Sequence, residues 1–509
     1  MKKITIFLSG IIVSFLSLYF FVSHKNPSLT NVTETGHIPA IFPDYTQVVL
    51  PPNIAPLNFF IEEKGKKYFV KIYSKNGDTI KIVNNSPSID IPIKRWKQLL
   101  NRNRNEDLYF DVYVKDPNGS WNKYKSITNK IANEEIDGYL AYRLINPGYR
   151  LWKNLGLYIR NIQTFDEDPV ITNNMAEKDC MNCHSFCQND PTRALFHVRG
   201  KVGGTVVIDN EIMKKLNTET KHTLSAAVYP AWHPNGKLIA FSTNKIVQEF
   251  YSAGPKSINV FDTASDIILY NIKSNLVTTS PKVSKKDFEN MPAWSPDGNY
   301  LYFCSAPQPE PNRSVDSVKY SLLRISYNEK QNEWGEIDTV LSSEKTGLSI
   351  TWPRISPDGR FIMICMSDYG YFTVYNPGSD ICLLDLQTNE YRPLNMNSNN
   401  VESYHSWSSN GRWFVFSSKK LNGLCSRPFI SYFDKDGKAY KSFVMPQKDP
   451  LSYETFLKSY NIPELLKSRW TVSKWNLYKT IHKEATEVKF DKSINVDALS
   501  GATSTTTQK

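Results

Sequence analysis

The sequence predicts a mainly β protein: an N-terminal membrane anchor, a small β-sandwich, a connector, and then a β-propeller of five or six blades. Three observations carry this expectation. Four segments share one template: Pro230-Ala-Trp-His-Pro-Asn-Gly236, Pro292-Ala-Trp-Ser-Pro-Asp-Gly298, Pro353-Arg-Ile-Ser-Pro-Asp-Gly359 and His405-Ser-Trp-Ser-Ser-Asn-Gly411. Each runs straight into an apolar strand, such as Lys237-Leu-Ile-Ala-Phe241 or Trp413-Phe-Val-Phe416, so the turn makes a tight corner between two strands. A second strand recurs further on, as Asp266-Ile-Ile-Leu-Tyr270 and Asp380-Ile-Cys-Leu-Leu384. Units of this kind cannot bury both faces alone, and radial stacking satisfies them. The third observation is compositional: 40% hydrophobic and 13% aromatic residues describe a folded, strand-rich chain and exclude a disordered one.

Taken in order, residues 1–23 read as a signal anchor. Lys2 and Lys3 precede an almost wholly apolar run from Ile4 to Val22, about long enough to cross a bilayer. No small-x-small cleavage site follows, and no lipobox cysteine is present, so an uncleaved anchor is expected, with a cleaved signal peptide as the alternative. Lysines on the inner side put the body on the periplasmic side of the inner membrane. Residues 24–44 are polar and read as a linker. Residues 45–135 read as a β-sandwich: Tyr68 to Tyr73 meets Thr79 to Val83 across Asn76-Gly77, and Leu108, Phe110, Val112 and Val114 alternate with polar or amphipathic neighbours. Residues 136–190 read as a connector in which tyrosines alternate with Arg143, Arg150 and Arg160. Residues 191–445 form the propeller, with Gly203-Gly-Thr-Val-Val-Ile208 in a further blade, residues 446–495 are mixed and partly helical, and residues 496–509 are a tail. The repeats resemble the TolB-like β-propeller repeats with their Trp-Ser-Pro-Asp-Gly signature. That resemblance implies a fold and leaves function open, because propellers scaffold many activities.

The connector holds Cys180-Met-Asn-Cys183-His184, the C-x-x-C-H attachment signal of a c-type haem. Two thiols three positions apart suit the two porphyrin vinyl groups, and the adjacent histidine suits the proximal side of the iron. A thioredoxin-like C-x-x-C would open a helix in a βαβ unit, and a structural zinc site would need a second ligand pair; neither context is present. Cys180 and Cys183 are therefore the expected thioether positions and His184 the expected iron ligand, with the haem wedged between sandwich and propeller. His197 is the first candidate for the sixth ligand, His233 the second and His405 the third, with Met175 and Met213 as further candidates. A lone histidine such as His233 or His405 is otherwise a hydrogen-bonded structural residue. An open sixth position is the remaining alternative. Of the other five cysteines, four lie in apolar strand contexts as buried thiols, and Cys187 is the one expected to react.

The tail contains Asp497-Ala-Leu-Ser-Gly-Ala-Thr503. It resembles the D-x-x-S-G-A-T signal of exported proteins that carry covalent FMN, and the resemblance implies that a flavin transferase joins FMN to Thr503. The compact FMN-binding domain that usually precedes this signal has no clear copy here. Together these features suggest an extracytoplasmic electron-transfer protein, a carrier rather than a stand-alone enzyme, possessing haem c and covalent FMN. Its expected partners are quinol-linked donors or other cytochromes, the cytochrome c maturation machinery and a flavin transferase. The formal charge of +11 is spread over 509 residues, and nothing points to nucleic acid. The alternatives are a propeller that binds a partner, its haem structural or sensing, and a reductase with an open iron site.

Overall fold

The computed structural model describes residues 27–499, apart from 147–153, 253–255, 257 and 311–313. The anchor segment and Thr503 lie outside the described residues, and so does Arg150. Among the described residues no helix is long and apolar enough to cross a membrane. The chain divides into two compact units, Met1–Asn133 with Pro446–Ser452, and Glu134–Met445 with Tyr453–Lys509.

The first unit is a seven-stranded sheet and a three-stranded sheet. Asp107–Lys115 lies at the centre of the larger one, and the expected hairpin is present as Lys67–Tyr73 against Ile80–Asn84, with Ile72 opposite Ile80. The two sheets meet where Phe59 packs edge-on to Phe110, ring centroids 6.0 Å apart. Two expectations change here. The region read as a linker contributes the strands Val32–Glu34 and Ile41–Phe42. A helix, Ile93–Arg102, was not expected; it buries Trp96, Leu99 and Leu100, and Trp96 Nε1 donates to the Ile54 carbonyl at 3.0 Å. Its apolar residues recur at helical spacing, but its ten residues are flanked by strand signals that mask them.

Among the described residues the second unit is a propeller of six sheets, each built on antiparallel strands. Their innermost strands are Met181–Cys187, Val228–Trp232, Phe288–Trp294, Ser349–Ile355, Glu402–Trp407 and Ser459–Leu466, and each touches the next around the ring. The template turn follows from hydrogen bonding. In the third blade Ser295 Oγ donates to Asp297 Oδ1 and accepts the Tyr300 N–H at 3.0 Å, while Gly298 takes a left-handed φ of 75° that a side chain would resist. Ser356 with Asp358, and Ser408 with Asn410, repeat the arrangement.

The sixth blade corrects the connector reading. Residues 136–190 hold Tyr139–Ile145, Gly156–Asn161 and Glu167–Thr172, which are three strands of a blade, and then the innermost strand of the next blade, Met181–Cys187. The sixth blade takes its innermost strand from Ser459–Leu466, which pairs antiparallel with Tyr139–Ile145. The two strands a template turn would join are therefore more than 300 residues apart, so the sequence has no turn there to recognise. The ring is thus fastened by the C-terminal part of the chain. Arg427, fully buried, braces this closure: its guanidinium donates to the carbonyls of Lys458 at 2.6 Å, Tyr453 at 3.0 Å and Phe456. Short parallel strands at Thr486–Glu487 and Lys489–Phe490 then edge the first and second blades.

One buried acid makes stability depend on pH. Glu289, on an innermost strand, is 1% exposed, and burial pushes its carboxyl from 4.5 up to about 9, with the Lys285 N–H opposing and Asp266 adding. The folded chain keeps a proton there that the unfolded chain releases above about 4.5, so this contribution is full at low pH and is lost as pH rises through about 9. Denaturation of E289Q is expected to show a flatter fall in stability between pH 5 and about 9 than the wild type does.

Candidate functional site

All six innermost strands bend at one equivalent residue. Cys183, Tyr229, Met291, Trp352, Tyr404 and Ile462 have φ of 54°, 49°, 52°, 53°, 51° and 50°, and each lies at a break in strand register. Left-handed geometry is strained for residues other than glycine, most of all for the β-branched Ile462, and here it recurs six times at equivalent strand positions. The residue after each bend is His184, Pro230, Pro292, Pro353, His405 or Pro463. The haem motif therefore coincides with a blade position, and Cys183-His184-Ser185 is equivalent to Tyr404-His405-Ser406.

On one side of this ring lies a cavity of about 650 Å³, within the usual size range of about 300–1,000 Å³ for ligand sites. Cys183, Tyr229, Trp352, Tyr404 and Ile462 form its floor. A hairpin of the second blade, Leu238–Phe250 with Ile258–Asn271, contributes Ile246, Phe250 and Val260 to its wall, and its charged lining is mixed, with Arg143, Arg199 and Lys201 against Glu219, Glu484 and Glu487. Arg143 also ties the ring, donating to the Met181 carbonyl at 2.9 Å and to Asn461 Oδ1 at 3.1 Å. Of the interleaved tyrosines and arginines noted in the sequence, only Arg143 reaches this cavity among the described residues.

Cys180 precedes the innermost strand, half-buried against the apolar core, and its carbonyl accepts the Arg199 N–H at 2.9 Å. Burial raises both motif thiols above the ordinary range. Arg143 and Arg199 oppose it at Cys180; the Tyr229 backbone and the same arginines oppose it at Cys183. His184 is buried on the other side of the bend, in a recess of about 30 Å³ that shares Cys183, Tyr229, Trp352 and Ile462 with the large cavity. Neither of its ring nitrogens makes a hydrogen bond, and Glu464 Oε1 stands 3.9 Å from Nε2. Burial, reinforced by Arg143, lowers His184 to about 3, so the ring is neutral.

His197 lies opposite Asn182 on the neighbouring strand and lines the large cavity. Its Nδ1 faces Thr205 Oγ1 at 3.0 Å, a contact that fixes the ring, and burial lowers it to about 3 with Arg199 adding. The other candidates are elsewhere. His233 occupies the turn of the second blade, its Nε2 3.1 Å from the Gly298 carbonyl and its Nδ1 accepting from the Asn235 N–H. His405 Nε2 is 2.9 Å from the Met363 carbonyl. Met175 and Met213 pack on the apolar core. Cys187, expected to be reactive, is 1% exposed, and burial pushes its thiol up to about 11. Among the described residues no group of three or more His, Cys, Asp or Glu is placed to hold a metal ion.

The aromatic floor was missed in the sequence, although its signal was present: Tyr229, Trp352 and Tyr404 each stand immediately before the Pro or His that opens a template segment. No protein-family model matches the chain, and no curated protein matches it. Among solved structures, TolB from Acinetobacter baumannii is similar at 14% identity and a TM-score of 0.40, covering 71% of this chain and 79% of that one. The Dos1 propeller is similar at 14% identity and 0.34, covering 53% and 62%, and the Synechocystis apocarotenoid oxygenase at 9% and 0.36, covering 84% and 97%. These remote likenesses carry no functional argument.

Replacing Arg143 with methionine removes both ties and leaves buried acceptors unpaired. R143M is expected to cost about 1–3 kcal/mol in chemical denaturation.

Proposed function

We propose that this chain is an extracytoplasmic, c-type cytochrome-like electron-transfer protein built on a propeller scaffold. The observation that carries the reading is the large axial cavity with Cys183 in its floor and a buried, neutral His197 in its wall. The residues fit a covalent haem in several respects. Cys180 and Cys183 would hold it by thioethers, the aromatic floor would face the ring, and Arg143 and Arg199 suit propionates because guanidinium groups bond carboxylates well. His197 lines this cavity as a neutral imidazole, the form that ligates iron, whereas His184, also neutral, stands in the recess beyond the bend and outside the cavity. The chemistry such a group supplies is a reversible one-electron couple. The protein's own part is to exclude water with the second-blade hairpin and to neutralise anionic charge with the arginines.

The finer reading adds FMN on Thr503, four residues beyond Leu499, as a group that converts two-electron to one-electron traffic. Attachment on the periplasmic side, behind an N-terminal anchor, agrees with the maturation machinery and a flavin transferase acting there. Quinol-linked donors or other cytochromes would then be the partners.

A second reading is favoured by one observation. His184 occupies the blade position that His405 occupies in the fifth blade, where the ring is a structural residue, and it sits outside the large cavity. On this reading the cavity takes a partner or a sensed ligand and the motif is part of the blade.

The two separate by intact mass of protein purified from cells that make c-type haem and possess a flavin transferase. The expected mass is the chain less its leader, if cleaved, plus one haem and one FMN. The haem increment should vanish in C180A/C183A and the FMN increment in T503V. An unmodified mass contradicts the electron-transfer reading and leaves the second.

A further inference from the structure

Beside the axial cavity is a smaller one of about 180 Å³, and Val260 belongs to the walls of both. Three blades supply aromatic residues to it: Phe261 from the second, Phe288 and Tyr320 from the third, Tyr369 and Tyr371 from the fourth. Tyr320 lies nearly parallel to Phe288 at 6.5 Å and edge-on to Tyr371 at 5.9 Å, so the rings form a continuous surface. Among them is Asp262, only 5% exposed.

The surroundings of Asp262 are unusual for a buried acid. Its carboxylate accepts from Asn244 Nδ2 at 2.8 Å, Asn290 Nδ2 at 2.8 Å and the Tyr320 hydroxyl at 2.9 Å. All three donors are neutral, and among the described residues no Lys, Arg or His forms an ion pair with it. Burial pushes the acid up to about 6, and the hydrogen bonds from Asn244, Tyr320 and Asn290 offset this only in part. A buried anion without a counter-charge is costly, and a cation brought to it removes that cost. Aromatic faces attract cations as well. Near this cavity the one cation in contact with a lining ring among the described residues, Lys256, meets the Tyr369 hydroxyl and leaves the ring faces free.

We infer that this cavity binds a small organic cation, a short primary ammonium, whose N–H groups meet the Asp262 carboxylate while its carbon chain lies against Phe288, Tyr320 and Tyr371. The ammonium class follows from the charge and the size. An anion would face a carboxylate that no Lys, Arg or His pairs with among the described residues, and a neutral guest would leave that carboxylate uncompensated. A volume well under the range of about 300–1,000 Å³ typical of drug-sized sites confines the guest to a few heavy atoms. This site does not depend on any cofactor in the axial cavity.

The test is the thermal midpoint of the full chain titrated with ethylammonium chloride, with sodium acetate and ethanol as anionic and neutral comparators at matched ionic strength. A ligand that binds only the folded state raises the midpoint and saturates. Ethylammonium alone should do so, the rise should be absent in D262N, and it should persist in C180A/C183A. A rise of equal size with acetate or ethanol overturns the proposal in the wild type alone, whatever D262N does. So does a saturable rise retained in a folded D262N protein.

Discussion

The propeller depends on one constraint: six strands must converge on an axis, and the last must come from the far end of the chain. Each convergence is made by a left-handed bend at a residue other than glycine, strained locally and held by its neighbours. Strand Ser459–Leu466 completes the ring, and Arg143 and Arg427 secure it from either side. Closure and site are therefore the same place. Arg143 braces the closing strand and lines the axial cavity, and Ile462 in that strand forms part of the floor.

This placement gives the cysteine motif its meaning. A free-standing cytochrome domain wraps its own haem, whereas Cys183 is one of six residues at equivalent bends of the innermost strands, so the haem proposed here would be enclosed by the scaffold. Cys183 lines both the large cavity and the small recess, whereas His184 lines the recess only. His197, one strand away, shares the large cavity with Cys183. Burial keeps both histidines neutral, and it also keeps the motif thiols protonated, so the same desolvation that suits an iron ligand suppresses free thiol chemistry.

Much of this was legible in the sequence, and the remainder has physical reasons. The Ser-Pro-Asp-Gly turns announced four blades because a side-chain hydrogen bond and a left-handed glycine leave a fixed residue pattern. The sixth blade left no such pattern, since its first two strands are not joined by a turn. The motif residues and His197 could be picked out one at a time, but their compartments could not, because these follow from which strand faces the axis. Asp262 carried no signal at all: its importance comes from Asn244, Asn290 and Tyr320, which two different blades bring to it.

Two neighbouring compartments emerge, one floored by aromatic residues with Cys183 among them and the other holding a carboxylate without an ion-pair partner among the described residues, with Val260 in the walls of both. The central claim is that the larger one houses iron. An anomalous difference map recorded at the iron edge, from crystals of protein made in cells that mature c-type cytochromes, tests it directly. The account predicts one peak on the propeller axis beside Cys183, with density continuous to the Cys180 and Cys183 sulfurs. No peak, or iron elsewhere with both sulfurs free, would contradict it.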